Sequence, residues 1–341
     1  MRTRPGPTLA AAAVAIATAM PGATAGGDAP WWSETALDAA EQYAAAIGTH
    51  AFLLVDGSGA VIRSYGPVDE PMPSMSIRKS FVSALYGILA DEGRVDLDAT
   101  LEELGIDDLQ GLTAAERQAT IRDLLTSRSG VYHPAAYETP GMQDNRPARG
   151  SHPPGSFCFY NNWDFNALAT ILEQVSSESV VDLFMTRLAE PLGMEDFDPA
   201  RDVEIVLEPV SRHPAIEFSQ SARDLARFGR LFLAGGHWGG TQIVPEDWVR
   251  ESTSVISDLG MFGGYGYSWW VAHKGEHFPF LRFPDGTFSA RGTGEQILLV
   301  LPHLNAVWVH RTELHGPDGP MMSVIDSARL LGKILDAAPE R

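Results

Sequence analysis

Ser76 and Lys79 are three residues apart at the start of an apolar stretch, Pro71–Asp91, PMPSMSIRKSFVSALYGILAD. Phe81, Leu85, Ile88 and Leu89 recur at helical spacing, so a helix with one inward face is expected to begin near Ser74 to Ser76. Positions three apart share a helix face, so the hydroxyl and the amine can meet. The free N–H groups of a first helical turn favour negative charge developing on a reacting oxygen. Serine, lysine and a donor-rich helix end together make an activated nucleophile. The chain holds only three lysines, Lys79, Lys274 and Lys333, among 25 basic residues. Arginine keeps its proton inside a protein, whereas a partly buried lysine can act as a base. The plain alternative is a solvated lysine on a helix flank and a serine that merely caps.

Two further segments carry candidate chemistry. Phe159-Tyr160-Asn161-Asn162 closes a polar loop just ahead of a helix expected over Trp163–Gln174. A phenol can move a proton if nearby cations lower its pKa, and an asparagine can hold a substrate amide and brace a lysine. Of eight tyrosines, only Tyr160 has Asn two residues later. The plain alternative is a cap by Asn162 and a half-buried Tyr160. The third segment, Ala290-Arg291-Gly292-Thr293-Gly294-Glu295-Gln296, runs into ILLVLP. Glycines at a strand start let the backbone approach a ligand closely. A backbone N–H there can join that of Ser76 as an oxyanion donor. A simple hairpin turn is its alternative.

Elements to position these residues follow in order. Ser33 can cap a helix over about Thr35–Ile47. Ala51–Val55 and Ala60–Tyr65 flank Asp56-Gly57-Ser58-Gly59, a hairpin signal. Helices are expected over Thr120–Thr126, Trp163–Gln174, Ser179–Leu192 (stopping at Gly193) and Ser221–Ala234, with Arg146–Pro154 a loop. Strands are expected over Gly266–Ala272, Thr287–Ala290, Ile297–Leu301 and Ala306–His310, then a helix over about Met322–Leu335. The simplest assembly pairs the late strands with the early hairpin in one antiparallel sheet. The terminal helices then cover one face, and the helical middle stands as a second lobe with the Ser76 helix at the boundary.

At 341 residues, 44% hydrophobic and 20% charged, the chain has ordinary globular composition. A net charge of −19, spread along the sequence, argues against nucleic acid and anionic membrane surfaces. Arg2 and Arg4, an Ala-rich run over Leu9–Met20 and Ala23-Thr24-Ala25 read as a cleavable signal peptide over residues 1–25, hence a secreted or periplasmic protein. No later segment is apolar enough to span a membrane. Cys158 is the only cysteine, so no intramolecular disulfide forms, and it reads as a small buried residue. The ten histidines show no metal-ligand spacing, and no cofactor is expected. No serine has Gly at both −2 and +2, which sets aside a Gly-x-Ser-x-Gly nucleophile elbow.

Ser76-Ile77-Arg78-Lys79, then Tyr160-Asn161-Asn162, then a Gly-rich strand near Gly292, in that order, resembles the serine β-lactamase and penicillin-binding-protein superfamily. It looks closest to the branch holding class C β-lactamases, family VIII esterases and 6-aminohexanoate-dimer hydrolases. LLTSRSG (124–130), LAEPLGMEDF (188–197), SARDLARFGRLFL (221–233) and GYGYSWW (264–270) are similar to that branch too, so the likeness spans about residues 50–335. It implies an α+β, β-lactamase/transpeptidase-like fold: an antiparallel sheet, flanking terminal helices and a mostly helical lobe, with the active site between them. Residues 26–341 would form one domain, the helical lobe inserted over about 91–262. It implies Ser76 as the acylated nucleophile, Lys79 as base or proton relay, and Tyr160 as general base and activator of water. It makes Asn162 the residue that orients substrate and Lys79. Ser76 and a residue of the 290–294 strand would form the oxyanion hole, with Arg291 and Gly292 on the substrate. The Lys-Thr-Gly of true β-lactamases reads Arg-Gly-Thr-Gly here, closer to the Ala-x-Gly-x-Gly-x-Gln of the esterase and amidase branch. That favours a small-molecule ester or linear amide over a lactam. β-Lactamase or D-Ala-D-Ala carboxypeptidase activity, or a penicillin-binding sensor that acylates without turnover, are the other implied outcomes.

Overall fold

The computed structural model describes residues 31–314 and 321–339; the signal-like segment 1–25 lies outside the described residues. Strands β1 (Ala51–Asp56) and β2 (Val61–Tyr65) form the early hairpin. The Asp56 carboxylate accepts the N–H groups of Ser58 and Ala60 and so ties the turn. A short strand β3 (Met72–Pro73) follows, then β4 (Val203–Val206), β5 (Ala215–Gln220), and a small hairpin of β6 (His237–Trp238) and β7 (Thr241–Gln242). The late meander comprises β8 (Ser257–Asp258), β9 (Gly264–Tyr265), β10 (Trp270–Val271), β11 (Phe288–Gly292), β12 (Gln296–Leu301) and β13 (Ala306–Arg311). The main sheet runs β2-β1-β13-β12-β11-β10-β9-β8, antiparallel throughout. Early hairpin and late strands therefore do share one sheet, joined where Ala51 faces Arg311.

The central strands read as unbroken apolar runs because both sheet faces are covered. On one face Phe52, Leu54, Ile297, Leu299, Leu301 and Trp308 pack against the terminal helices, Glu34–Ile47 and Val324–Asp336. On the other, Leu53, Val55, Leu298, Val300, Val307 and Val309 join the larger core with the Ala222–Leu233 and Arg78–Asp91 helices. Adjacent residues point to opposite faces, so each strand serves both layers.

Four expectations change. The helix after Ser76 has no solvent face: every residue from Arg78 to Leu89 is buried. It packs against sheet-side and helical-side elements alike, and Gly87 lets the Trp248 ring press on its backbone. The helix expected over Ser179–Leu192 breaks into Val180–Phe184, a π-helical turn at Met185–Ala189, and Glu190–Leu192. Pro191 has no N–H for the carbonyl four residues back, so the ladder widens there. Of the strand expected over Gly266–Ala272 only Trp270–Val271 forms, because Ser268, at φ 62°, turns the chain between β9 and β10. The Trp163 helix runs Asn162–Ser176, and its N-cap is Asn161, whose side chain accepts Asp164 N–H. That frees the Asn162 side chain for other work. No helix among the described residues is long and apolar enough to cross a membrane.

Candidate active site

Ser76 sits in a 3-10 turn, Met75–Ile77, that feeds directly into the Arg78–Asp91 helix. Met75 has φ 52°, in the left-handed region, which costs a residue with a side chain about 1–3 kcal/mol. Contacts on both sides hold this turn. Glu217 accepts the Met75 N–H at 2.7 Å, and Arg78 donates to the Met75 carbonyl at 2.9 Å. The end of β11 passes over the same turn. A Cβ at Gly292 would fall 2.6 Å from the Ser74 carbonyl oxygen and 3.1 Å from Ser76 N. Only glycine permits that approach, and it brings strand backbone beside the Ser76 N–H.

Lys79 lies on the buried helix, and no carboxylate among the described residues pairs with it. Its amine donates to the Tyr160 phenol oxygen at 2.6 Å and to Asn162 Oδ1 at 2.8 Å. The Tyr160 and Phe165 rings lie 4.0 and 4.2 Å from Nζ. Asn162 is held in turn by donating to the Tyr137 carbonyl. Burial, helped by the neighbouring Arg78 charge, holds the Lys79 pKa well below the usual lysine range. Tyr160 stands among Phe165, Tyr265 and Trp270, with ring centroids at 5.1, 5.8 and 5.6 Å. Burial pushes its phenol up to about 12, against the pull of the Ser76 hydroxyl and Arg78. Tyr160 is thus a protonated phenol at neutral pH, and the expected lowering by cations does not prevail.

The site opens into a cleft of about 340 Å³ lined by Ser76, Tyr160, Phe159, Met142, Trp270 and Arg291, among others. Arg291 borders it, but its Nε donates to Ser289 Oγ at 2.8 Å and one terminal nitrogen to the His277 carbonyl at 2.9 Å. Its guanidinium lies 3.8 Å from the Phe278 ring centre. The structure therefore brings Ser76, Tyr160, Arg291 and Gly292 to one cleft, with Lys79 and Asn162 behind them. Sequence reading passed over Glu217, Phe165, Tyr137 and Trp270. Each meets a site group far away in the chain (Met75 for Glu217, Lys79 for Phe165, Asn162 for Tyr137, Tyr160 for Trp270), and no spacing announces them. Cys158 is part-buried, its thiol pushed up by burial, and carries no reactive character. No group of His, Cys, Asp and Glu among the described residues could hold a metal ion.

The family model described as Beta-lactamase matches residues 37–330. The 6-aminohexanoate-dimer hydrolase of Paenarthrobacter ureafaciens is 28% identical over 85% of this chain and 79% of its own length. The D-alanyl-D-alanine-carboxypeptidase/endopeptidase AmpH of Escherichia coli K12 is 28% identical over 45% of this chain and 46% of its own. Among solved structures, a penicillin binding protein from Bacillus halodurans superposes with a TM-score of 0.64 at 15% identity. It covers 86% of this chain and 99% of that one, a likeness of fold.

Proposed function

The chain belongs to the beta-lactamase family, and on that premise we propose an exported serine hydrolase that forms an acyl-enzyme on Ser76 from an ester or linear amide without a carboxylate beside the scissile bond. The observation that carries this reading is the Lys79–Tyr160–Asn162 hydrogen-bonded set behind Ser76, with a depressed amine and a raised phenol. As the Ser76 hydroxyl attacks the carbonyl, its proton passes to the Tyr160 oxygen while the phenol proton passes to the neutral Lys79 amine. The phenol works as a relay and the amine as the base. The resulting ammonium returns a proton through Tyr160 to the leaving alcohol or amine. Water repeats the route in deacylation. Ser76 N–H and backbone at the end of β11 hold the oxyanion.

A carboxylate-free substrate agrees with the hold on Arg291 by Ser289 and His277, and with the aromatic walls of the cleft. A relative named for hydrolysing the 6-aminohexanoate dimer supports amide cleavage. The signal-like residues 1–25 support export. The test is hydrolysis of p-nitrophenyl butyrate beside nitrocefin, with Ser76→Ala as blank. Ester turnover that Ser76→Ala abolishes, with nitrocefin untouched, is the expected outcome. Nitrocefin turnover would put a β-lactamase in its place, and a single stoichiometric burst a penicillin-binding sensor.

A further inference from the structure

A buried carboxylate lies directly behind the nucleophile turn, out of reach of the cleft. Strand β5 pairs with β3 at Met72 opposite Gln220 and Pro73 opposite Ser219, and Ser74 N–H goes on to the Phe218 carbonyl at 2.9 Å. There the ladder ends, because the chain curls into the turn that carries Ser76. The next N–H, that of Met75, is taken by the Glu217 side chain at 2.7 Å, so a carboxylate continues where the strand stops. Arg78 reaches the Met75 carbonyl at 2.9 Å and the Glu217 carboxylate at 3.5 Å. Both polar groups of Met75 are thus held by one buried ion pair, at a residue whose left-handed backbone is unfavourable for any side chain but glycine's. The Tyr137 ring lies 5.2 Å from the Arg78 guanidinium carbon, and its hydroxyl meets Met75 Sδ at 3.5 Å.

We propose that Glu217 is a positioning residue for the nucleophile: with Arg78 it clamps Met75 in its left-handed conformation and so sets the direction of the Ser76 hydroxyl and N–H. The inference rests on Ser76 being the nucleophile. Glu217 touches neither substrate nor reacting atoms, and acts through the Met75 peptide groups. Its charged and titratable neighbours are Arg78 and Lys79 on the helix, Arg311 on β13, Tyr137 in the covering loop and Glu204 opposite it on β4. Burial raises the Glu217 pKa to about 7, over the opposing pull of Arg78, the Met75 N–H and Arg311. The clamp is strongest when the carboxylate is ionised, because charge-assisted bonds to N–H and guanidinium are the stronger kind. Acidification below neutrality then loosens the turn and slows attack by Ser76.

The experiment is the rate of covalent labelling by a fluorophosphonate over about pH 5 to about pH 9, in wild type, Glu217→Gln and Glu217→Ala, with Ser76→Ala as blank. Melting curves confirm which variants are folded. Glutamine keeps an acceptor for Met75 N–H but does not titrate. Wild-type labelling is expected to fall about 10-fold from pH 8 to pH 6, whereas Glu217→Gln keeps at least a tenth of the pH 8 rate and loses the limb near pH 7. Folded Glu217→Ala is expected to label ~100-fold more slowly at every pH. An unchanged limb in Glu217→Gln overturns the proposal, as does wild-type labelling in Glu217→Ala. If alanine does not fold, the glutamine profile alone decides. Labelling that survives in Ser76→Ala would instead remove the nucleophile assignment beneath it.

Discussion

Lys79 and Glu217 are both held away from their ordinary protonation by burial, in opposite senses and on opposite sides of one turn. The proposed chemistry wants the amine neutral, and burial works in that direction. If Tyr160 relays the proton between Ser76 and this amine, Tyr160→Phe should lower kcat by ~10²–10⁴-fold with KM changing far less. A loss under tenfold would reduce the phenol to packing among its aromatic neighbours. Glu217 makes a stability statement as well. Its folded pKa, about 7, lies above the ordinary value of 4.5. The folded chain therefore binds the extra proton, and the group's stabilising contribution is full below about pH 4.5 and lost as pH rises through 7. Glu217→Gln cannot lose it. The melting temperature of Glu217→Gln relative to wild type should rise steadily from pH 4.5 to pH 7.5, and a flat difference would contradict the raised pKa. Below neutrality, wild type gains stability where the clamp argument has it lose labelling rate. Residue types and spacing made Ser76, Lys79, Tyr160 and Asn162 legible, since each motif is short and local. Glu217 was not legible, because a lone acid on an apolar strand gains meaning only from an arginine 139 residues earlier.

At the scale of elements, the site depends on how closely β11 approaches the Met75–Ile77 turn. Gly292 is the contact point, and a Cβ there would lie 2.7 Å from the Met75 Cβ. Gly292→Ala must push the strand and the turn apart by several tenths of an ångström. Since oxyanion donors act only within hydrogen-bond distance, kcat for p-nitrophenyl butyrate should fall ~10²-fold, with the melting temperature lowered only slightly. Unaltered kcat would mean that the strand end takes no part in holding the oxyanion. The helix starts were readable: Ser33 caps as expected, and Thr120, Ser179 and Ser221, expected as the first residues of helices, stand as their N-caps. Other features came from contacts beyond the local pattern. Pro191 is visible in the sequence, but whether a helix stops or bulges at proline is settled by the packing around it. Ser268 takes a left-handed turn with no glycine to signal it, while Tyr267 and Trp269 on either side are drawn into the core.

For the whole molecule, alternation along β1, β12 and β13 divides the apolar residues between two cores. The smaller is closed by the terminal helices, and the larger carries the proposed reacting groups on its rim. The antiparallel sheet with the terminal helices on one face was legible from the order of the elements, whereas the cover of the other face by the Ala222–Leu233 helix was not, since that helix was expected in a separate lobe. The charge of −19 acts at this scale too, spread over a chain whose cleft is walled mainly by aromatic rings, methionine and a pinned arginine. The family and its hydrolytic character rest on most of the chain's length, residues 37–330, and not on one motif.

The pairing of β1 with β13 has a temporal consequence. Ala51 is made long before its neighbour in the sheet, Arg311. Until then β1 has only the β2 hairpin beside it, and a two-stranded ribbon is barely stable in water. Ser33 N–H, at the first helix, likewise waits for the carbonyl of Ala337. Closing so long a loop is slow, so this side of β1 stays unpaired until β13 has been made. The order of the strands is itself a brake on premature folding. It releases only when β13 arrives to close the sheet.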